Sequence, residues 1–487
     1  DDGGGGGDDG GGSSDEPIKI GFLSTCEGAF GAFYEATAGG FNVPLIQRGA
    51  EPVSDTPSDG VEGAEIAGRP VEVVGYGCSD ETPEVAVNEA RRLVEQEGAD
   101  ILVGPLSGDE GIAIANYAKE QPDKTFVNGA AGAQDATLKV QAPNFFRFHT
   151  DGAQWSAGVG EYAVEELGWK RAAVIGDDYS FAQTSAGGFI ADFCANGGEV
   201  VKRIWPSLGE TDYSSFIAQI PDNIDGIYTA IGGEGLISFI NQYIEQKGPI
   251  EPDEMIGNLF VDDPIVLKEI GEEVVGVTVS GNTAADATGP DVEEYLDRLS
   301  VYPEVAEAGA SVFVYHYYGA MEAVAKAIEQ LDGDISDVEK FHETLANMEL
   351  TGPEAPYGDV RLDENRQAIS DNYIKQVVPG EGGKPPTVKT IARVPQVDQQ
   401  FGGAFVEELA AADFVEAVDE ILGAKPRFCR TGKIVRNLAA VQHDDPVAQT
   451  HRLLHRVGDH QCGQLLPLHH LFGELNHLIR ALRIERR

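Results

Sequence analysis

The chain has 487 residues, of which 42% are hydrophobic and 24% charged, enough apolar material for two or three ordinary domains. Its 81 acidic residues face 35 basic ones, a formal net charge of -46. Such a surface repels nucleic acid and anionic lipid, so it excludes electrostatic binding to either. The longest apolar runs fall short of the ~18 residues that a membrane helix needs.

The first sixteen residues, DDGGGGGDDGGGSSDE, carry nothing to bury and read as a flexible tether. A start at Asp1 fits an exported chain whose signal has been removed, with a lipid anchor ahead of Asp1 as its natural complement. An arbitrary boundary is the bland alternative. The far end is different again. From Lys425 to Arg487 there are 11 basic and 5 acidic residues, and seven of the ten histidines lie between His443 and His477. This break marks residues 397–487 as an extension outside the fold. His451 and His455 have zinc-ligand spacing on a helix, but a solvated pair is the commoner reading.

Between these ends, strand and helix signals alternate. Ile18 to Leu23 (IKIGFL) is a short apolar strand and Pro70 to Gly77 a second. Thr82 and Pro83 open a helix whose buried stripe is Ala86, Ala90, Leu93 and Val94, and Gly98 follows its end. Ala99 to Gly104 is a continuous apolar strand of the kind buried on both faces. A helix at Ile112 to Lys119 and a strand at Thr125 to Asn128 follow. A helix from Gln154 to Leu167, a strand at Arg171 to Ile175 and a helix at Ala182 to Ala195 come next. Further strands fall at Glu199 to Trp205, Gly226 to Ile231 and Met255 to Val261. This alternation predicts an α/β fold of open, doubly wound, mostly parallel sheets.

Ligands of such sheets bind beyond the carboxyl ends of the strands. Small residues cluster at those ends: Ser24-Thr25-Cys26, then Gly104-Pro105-Leu106-Ser107-Gly108, then Gly129-Ala130-Ala131-Gly132. Each alone is an ordinary turn. Three at one sheet edge could form a mouth.

In order and spacing, IKIGFLST, VGYGCSDETPEVA, ADILVGPLSG, KRAAVIGDDYSFAQT, DYSSFIAQI and GDVRLDENRQAISDNYIKQVV resemble the branched-chain amino acid (Leu/Ile/Val) binding protein family. These are type I periplasmic solute-binding proteins of ABC transporters. The likeness runs from Ile18 to Val378. It implies two lobes joined by three crossovers near His149, Ser280 and Tyr357. Lobe one would be residues 17–149 plus 281–357, and lobe two residues 150–280 plus 358–396.

Carried over residue by residue, the resemblance puts the two ligand-facing aromatics at Phe30 and Phe181. The polar positions depart from the family. One carboxylate-binding hydroxyl falls at Gly108, with Ser107 just before it, and a second at Gly132, beside Ala131. The acid that pairs with a ligand amine falls at Leu259; Asp262, Asp263 or Glu234, which follows Gly233, are the nearby replacements. Phe30, Ser107, Gly108, Ala131, Gly132, Phe181, Gly233, Glu234 and Asp262 form the candidate ligand set. The resemblance also implies a disulfide from Cys78. Its usual partner position is Ser107, which leaves Cys26, with two buried thiols as the alternative. Cys194 reads as core.

The implied function is extracytoplasmic capture of a small amino-acid-like, amide or aromatic solute by a monomer that hands it to an ABC-type membrane permease. No cofactor, metal or nucleic acid is implied. Contact with a membrane would come only through the anchor. A ligand-sensing ectodomain is the alternative, but no membrane segment or effector domain is recognisable. A nucleotide-using enzyme would need GxGxxG after the first strand, where GFLSTCEG stands.

Overall fold

The computed structural model describes residues 16–400 except 381 and 383. The Gly/Asp-rich start and the basic, histidine-rich end lie outside the described residues. Among the described residues no helix is long and apolar enough to cross a membrane.

The first sheet holds β1 (Ile18–Thr25), β2 (Arg69–Ser79), β3 (Ile101–Val103), β4 (Thr125–Val127) and β5 (Phe145–Phe146). Their spatial order is β2-β1-β3-β4-β5, all parallel, with Glu65–Ile66 antiparallel at the β2 edge. The second sheet holds β6 (Arg171–Gly176), β7 (Glu199–Ile204), β8 (Gly226–Ala230), β9 (Met255–Gly257) and β10 (Thr278–Gly281). Its parallel part repeats the same order, β7-β6-β8-β9-β10. Two long antiparallel strands, β11 (Ala368–Val378) and β12 (Thr387–Val397), extend it.

The parallel central strands are buried along their lengths because helices cover both faces. The helix Val312–Gln330 returns from the second sheet and packs on helix Tyr34–Ile46 of the first. The chain thus passes between two α/β lobes. In this strand order the switch points lie between β1 and β3 and between β6 and β8, so a ligand crevice is expected at both.

Two expected elements are shorter than their apolar patterns. The strand begun at Met255 ends at Gly257, because Asn258 turns the chain and its side chain accepts from Phe260 N–H (3.1 Å). The helix expected from Gln154 is a short turn, Gln154–Ser156, and restarts at Val159 after Gly158 (φ +80).

Candidate functional site

The turns leaving the switch-point strands converge. After β1 comes Gly28–Phe33, a single-turn helix that places Phe30, and after β3 the helix Gly108–Ala118 begins. After β6 comes Tyr179 and the helix Ser180–Ala195, whose second residue is Phe181. Beyond β8 lie Gly232 and Gly233, and beyond β9 lie Leu259 and Phe260.

These segments enclose one cavity. Lobe one supplies Phe30, Leu106, Gly108, Ala130 and Gly132. Lobe two supplies Tyr179, Phe181, Leu259 and Phe260, with Trp155 from the segment between β5 and β6. Val312 and Phe313 close the back. The space between these atoms is about 290 Å³, its open side included. None of these side chains carries a charge. Phe30 stacks on Phe260 at 5.5 Å and 16°, while Phe181 meets the same ring edge-on at 5.7 Å. Tyr179 touches both Phe30 and Phe181.

The glycines are where the lobes approach most closely. A Cβ on Gly108 would lie 2.9 Å from Phe181 N and from Ser180 Oγ, both across the cleft. One on Gly132 would lie 2.6 Å from the Trp155 ring and 2.8 Å from Phe181. Gly233 (φ +53) would bring a Cβ to 2.1 Å from the carbonyl oxygen of Ala29 in lobe one. Hydrogen bonds also span the gap. Ser180 N–H donates to Asp109 Oδ1 (3.1 Å), and Ser311 Oγ donates to Asp263 Oδ2 (2.7 Å). The cleft is closed.

Of the candidate ligand set, Phe30, Gly108, Gly132 and Phe181 border the cavity. The others are placed elsewhere. The Asp262 carboxylate is ion-paired with the buried Lys375 ammonium on β11 and is not free for a ligand amine. Asp263 caps the helix Pro264–Ile270 and accepts from Ser311. Glu234 is exposed in the first turn of helix Gly233–Lys247. Gly233 forms the lobe contact described above. The Ala131 amide is committed to Asn128 Oδ1 (2.8 Å), and it is Ala130 that reaches the cavity. Ser107 is the N-cap residue of helix Gly108–Ala118, where it forms a capping box with Glu110, whose carboxylate accepts from the Ser107 N–H (3.4 Å).

Cys26 and Cys78 form a disulfide with Cα atoms 5.2 Å apart, beside the turn that carries Phe30. Cys194 is half-buried against the core. That turn is also held by a carboxylate. Glu81 Oε1 accepts from Phe30 N–H (2.7 Å). In lobe two, Asp177 Oδ2 does the same for Gly232 N–H (2.9 Å). Burial pushes both carboxyls up to about 7. Asp80 and Glu234 add repulsion at Glu81, and Glu81 itself adds it at Asp177. Glu110, buried beside them, is also raised to about 7, mainly by loss of solvent.

The sequence reading missed Trp155, Tyr179, Phe260 and Phe313. Tyr179 lies two places before Phe181 and Phe260 one after Leu259, so the neighbourhoods were right and the side chains were not singled out. Trp155 fell inside the helix expected from Gln154.

Residues 17–384 match the periplasmic binding protein family, and the chain belongs to it. Among solved structures it is similar to an ABC transporter substrate-binding protein from Sphaerobacter thermophilus, with 24% identity, 79% of this chain and 99% of that chain covered, and a TM-score of 0.67. It is also similar to a solute-binding protein of an ABC transporter from R. palustris in complex with benzoate (21% identity, 80% and 99% covered, TM-score 0.66). A leucine-binding protein from Thermotoga maritima is a third (21%, 78% and 99%, TM-score 0.63). No curated protein matches the chain.

Proposed function

We propose that this chain captures a small solute with a flat or apolar body between its lobes, outside the cytoplasm, and delivers it to the membrane permease of an ABC importer. It acts as a binding protein and not as an enzyme. The observation that carries the solute class is the uncharged aromatic lining of the cavity, with Phe30 and Phe260 stacked and Phe181 edge-on. A free α-amino acid brings an ammonium and a carboxylate. Burying either without a partner costs several kcal/mol. Leu259 stands where the family's amine-binding acid falls, and Asp262 is already paired with Lys375. An amide, a modified amino acid, or an aromatic acid, which brings one charge instead of two, therefore ranks above leucine. The benzoate held by the similar R. palustris protein supports the same direction. The lobe boundaries near His149, Ser280 and Tyr357 belong to this proposal, as the segments about which the cleft opens.

A thermal-shift screen of amino acids, amides, aromatic acids and polyamines tests it. A ligand at one hundred times its dissociation constant adds about 2.7 kcal/mol to the folded state. Stabilisation by aromatic acids or amides is the expected result. Stabilisation by leucine, isoleucine or valine alone would overturn the solute class.

A further inference from the structure

Trp155 lines the cavity and is 4% exposed. Its indole Nε1 has no hydrogen-bond partner among the described residues. A buried donor left unpaired is costly, so most such groups in folded proteins find an acceptor. The same chain shows the usual solution at Trp169, whose Nε1 donates to the Asp253 carbonyl (2.7 Å).

The Trp155 backbone is fixed: its amide N–H donates to Asp151 O (3.0 Å), and Asn372 Nδ2 donates to its carbonyl oxygen (3.1 Å). Its ring lies nearly parallel to His316 (5.5 Å, 15°), which lies parallel to His149 (4.2 Å, 11°). Burial keeps His316 neutral, pushed down to about 3, so the stack behind the indole offers a solute no cation. What the indole adds is one unpartnered donor on a residue that lines the cavity, beside the Tyr179 phenol as its other polar side chain.

We propose that Trp155 determines specificity: its indole N–H donates to an acceptor atom on the solute, so the solute joins a flat apolar body to at least one hydrogen-bond acceptor. This rests on the solute class proposed above and adds the group that is recognised.

The test compares benzamide and benzoate, which carry acceptors, with toluene, which does not. Affinities are measured by calorimetry or competition for the wild type and for Trp155→Phe. In parallel, the indole N–H signals of the ¹⁵N-labelled wild-type chain are followed. The chain has three tryptophans, so three signals are expected and the variant assigns one of them. The wild type should prefer an acceptor-bearing probe by about tenfold, the worth of one hydrogen bond with its desolvation. In Trp155→Phe that preference should shrink to about threefold or less, and the Trp155 signal of the wild type should move on binding. A preference that survives in the variant, or a Trp155 signal that stays still while an acceptor-bearing probe binds, overturns the inference and leaves the solute class standing. If none of the three probes binds the wild type, the aromatic-solute reading falls and takes the inference with it. Should the variant fail to fold, Trp169→Phe and Trp205→Phe assign the other two signals, and the remaining wild-type signal, that of Trp155, decides alone.

Discussion

At Gly108 one methyl group would sit 2.9 Å from a backbone nitrogen of the opposite lobe. Backbone cannot swing aside as a side-chain tip can. Gly108→Ala should therefore hold the lobes apart without disturbing either one. Small-angle scattering with saturating solute is expected to show a larger radius of gyration than the wild type, at a melting temperature within a few degrees of it. A variant that closes normally would refute this reading of Gly108. Gly108 and Gly132 were legible as small residues at strand ends, and Phe30 and Phe181 through the family resemblance. The acids were not. Asp262 stands beside the family position, but its partner Lys375 arrives from a strand 113 residues later, which spacing cannot reveal. Trp155 escaped because Gly158 breaks the helix in which it was placed. There a Cβ would lie 2.6 Å from Val394 on the distant β12.

Among the elements, the short helical turn Gly28–Phe33 presents Phe30 to the cavity. The Cys26–Cys78 bond and the Glu81 carboxylate fasten it. Chain entropy gives a disulfide spanning 52 residues about 4 kcal/mol as an upper figure. The double variant Cys26→Ser, Cys78→Ser should lose about 2–4 kcal/mol in denaturant unfolding and bind solute more weakly. Unchanged stability under reducing and non-reducing conditions would show that the bond contributes nothing. The alternation of strands and helices was plain in the sequence, since buried parallel strands are continuous apolar runs and the caps around Thr82 and Gly98 are local. The identical strand order of both lobes was not, because order within a sheet depends on non-local pairing.

For the molecule as a whole, the closed cleft brings carboxyls from both lobes together. Glu81 and Asp177 titrate near 7 in the folded protein, against about 4 in an unfolded chain. Between these values the folded form holds more protons, so their contribution to stability is present at low pH and lost as pH rises through about 7. The Glu81–Asp177 repulsion arises only when the lobes meet, so closing on solute should take up protons. Affinity is expected to fall between pH 6 and pH 8. Glu81→Gln or Asp177→Asn should flatten that slope, which separates this pair from the general repulsion of a chain with net charge -46. Affinity that rises with pH, or a slope that both variants leave intact, would contradict the assignment.

Solute binding between the lobes is the property from which the rest of the molecule's proposed role follows. Calorimetric titration of the wild type and of Gly132→Ala with benzoate, benzamide and leucine measures it. A Cβ at Gly132 would intrude on both Trp155 and Phe181, whose rings wall the cavity. One-to-one binding of benzoate or benzamide, with leucine weaker and the affinity of Gly132→Ala reduced at least about tenfold, is the predicted result. Binding of none of the three, or binding that Gly132→Ala leaves untouched, would contradict it.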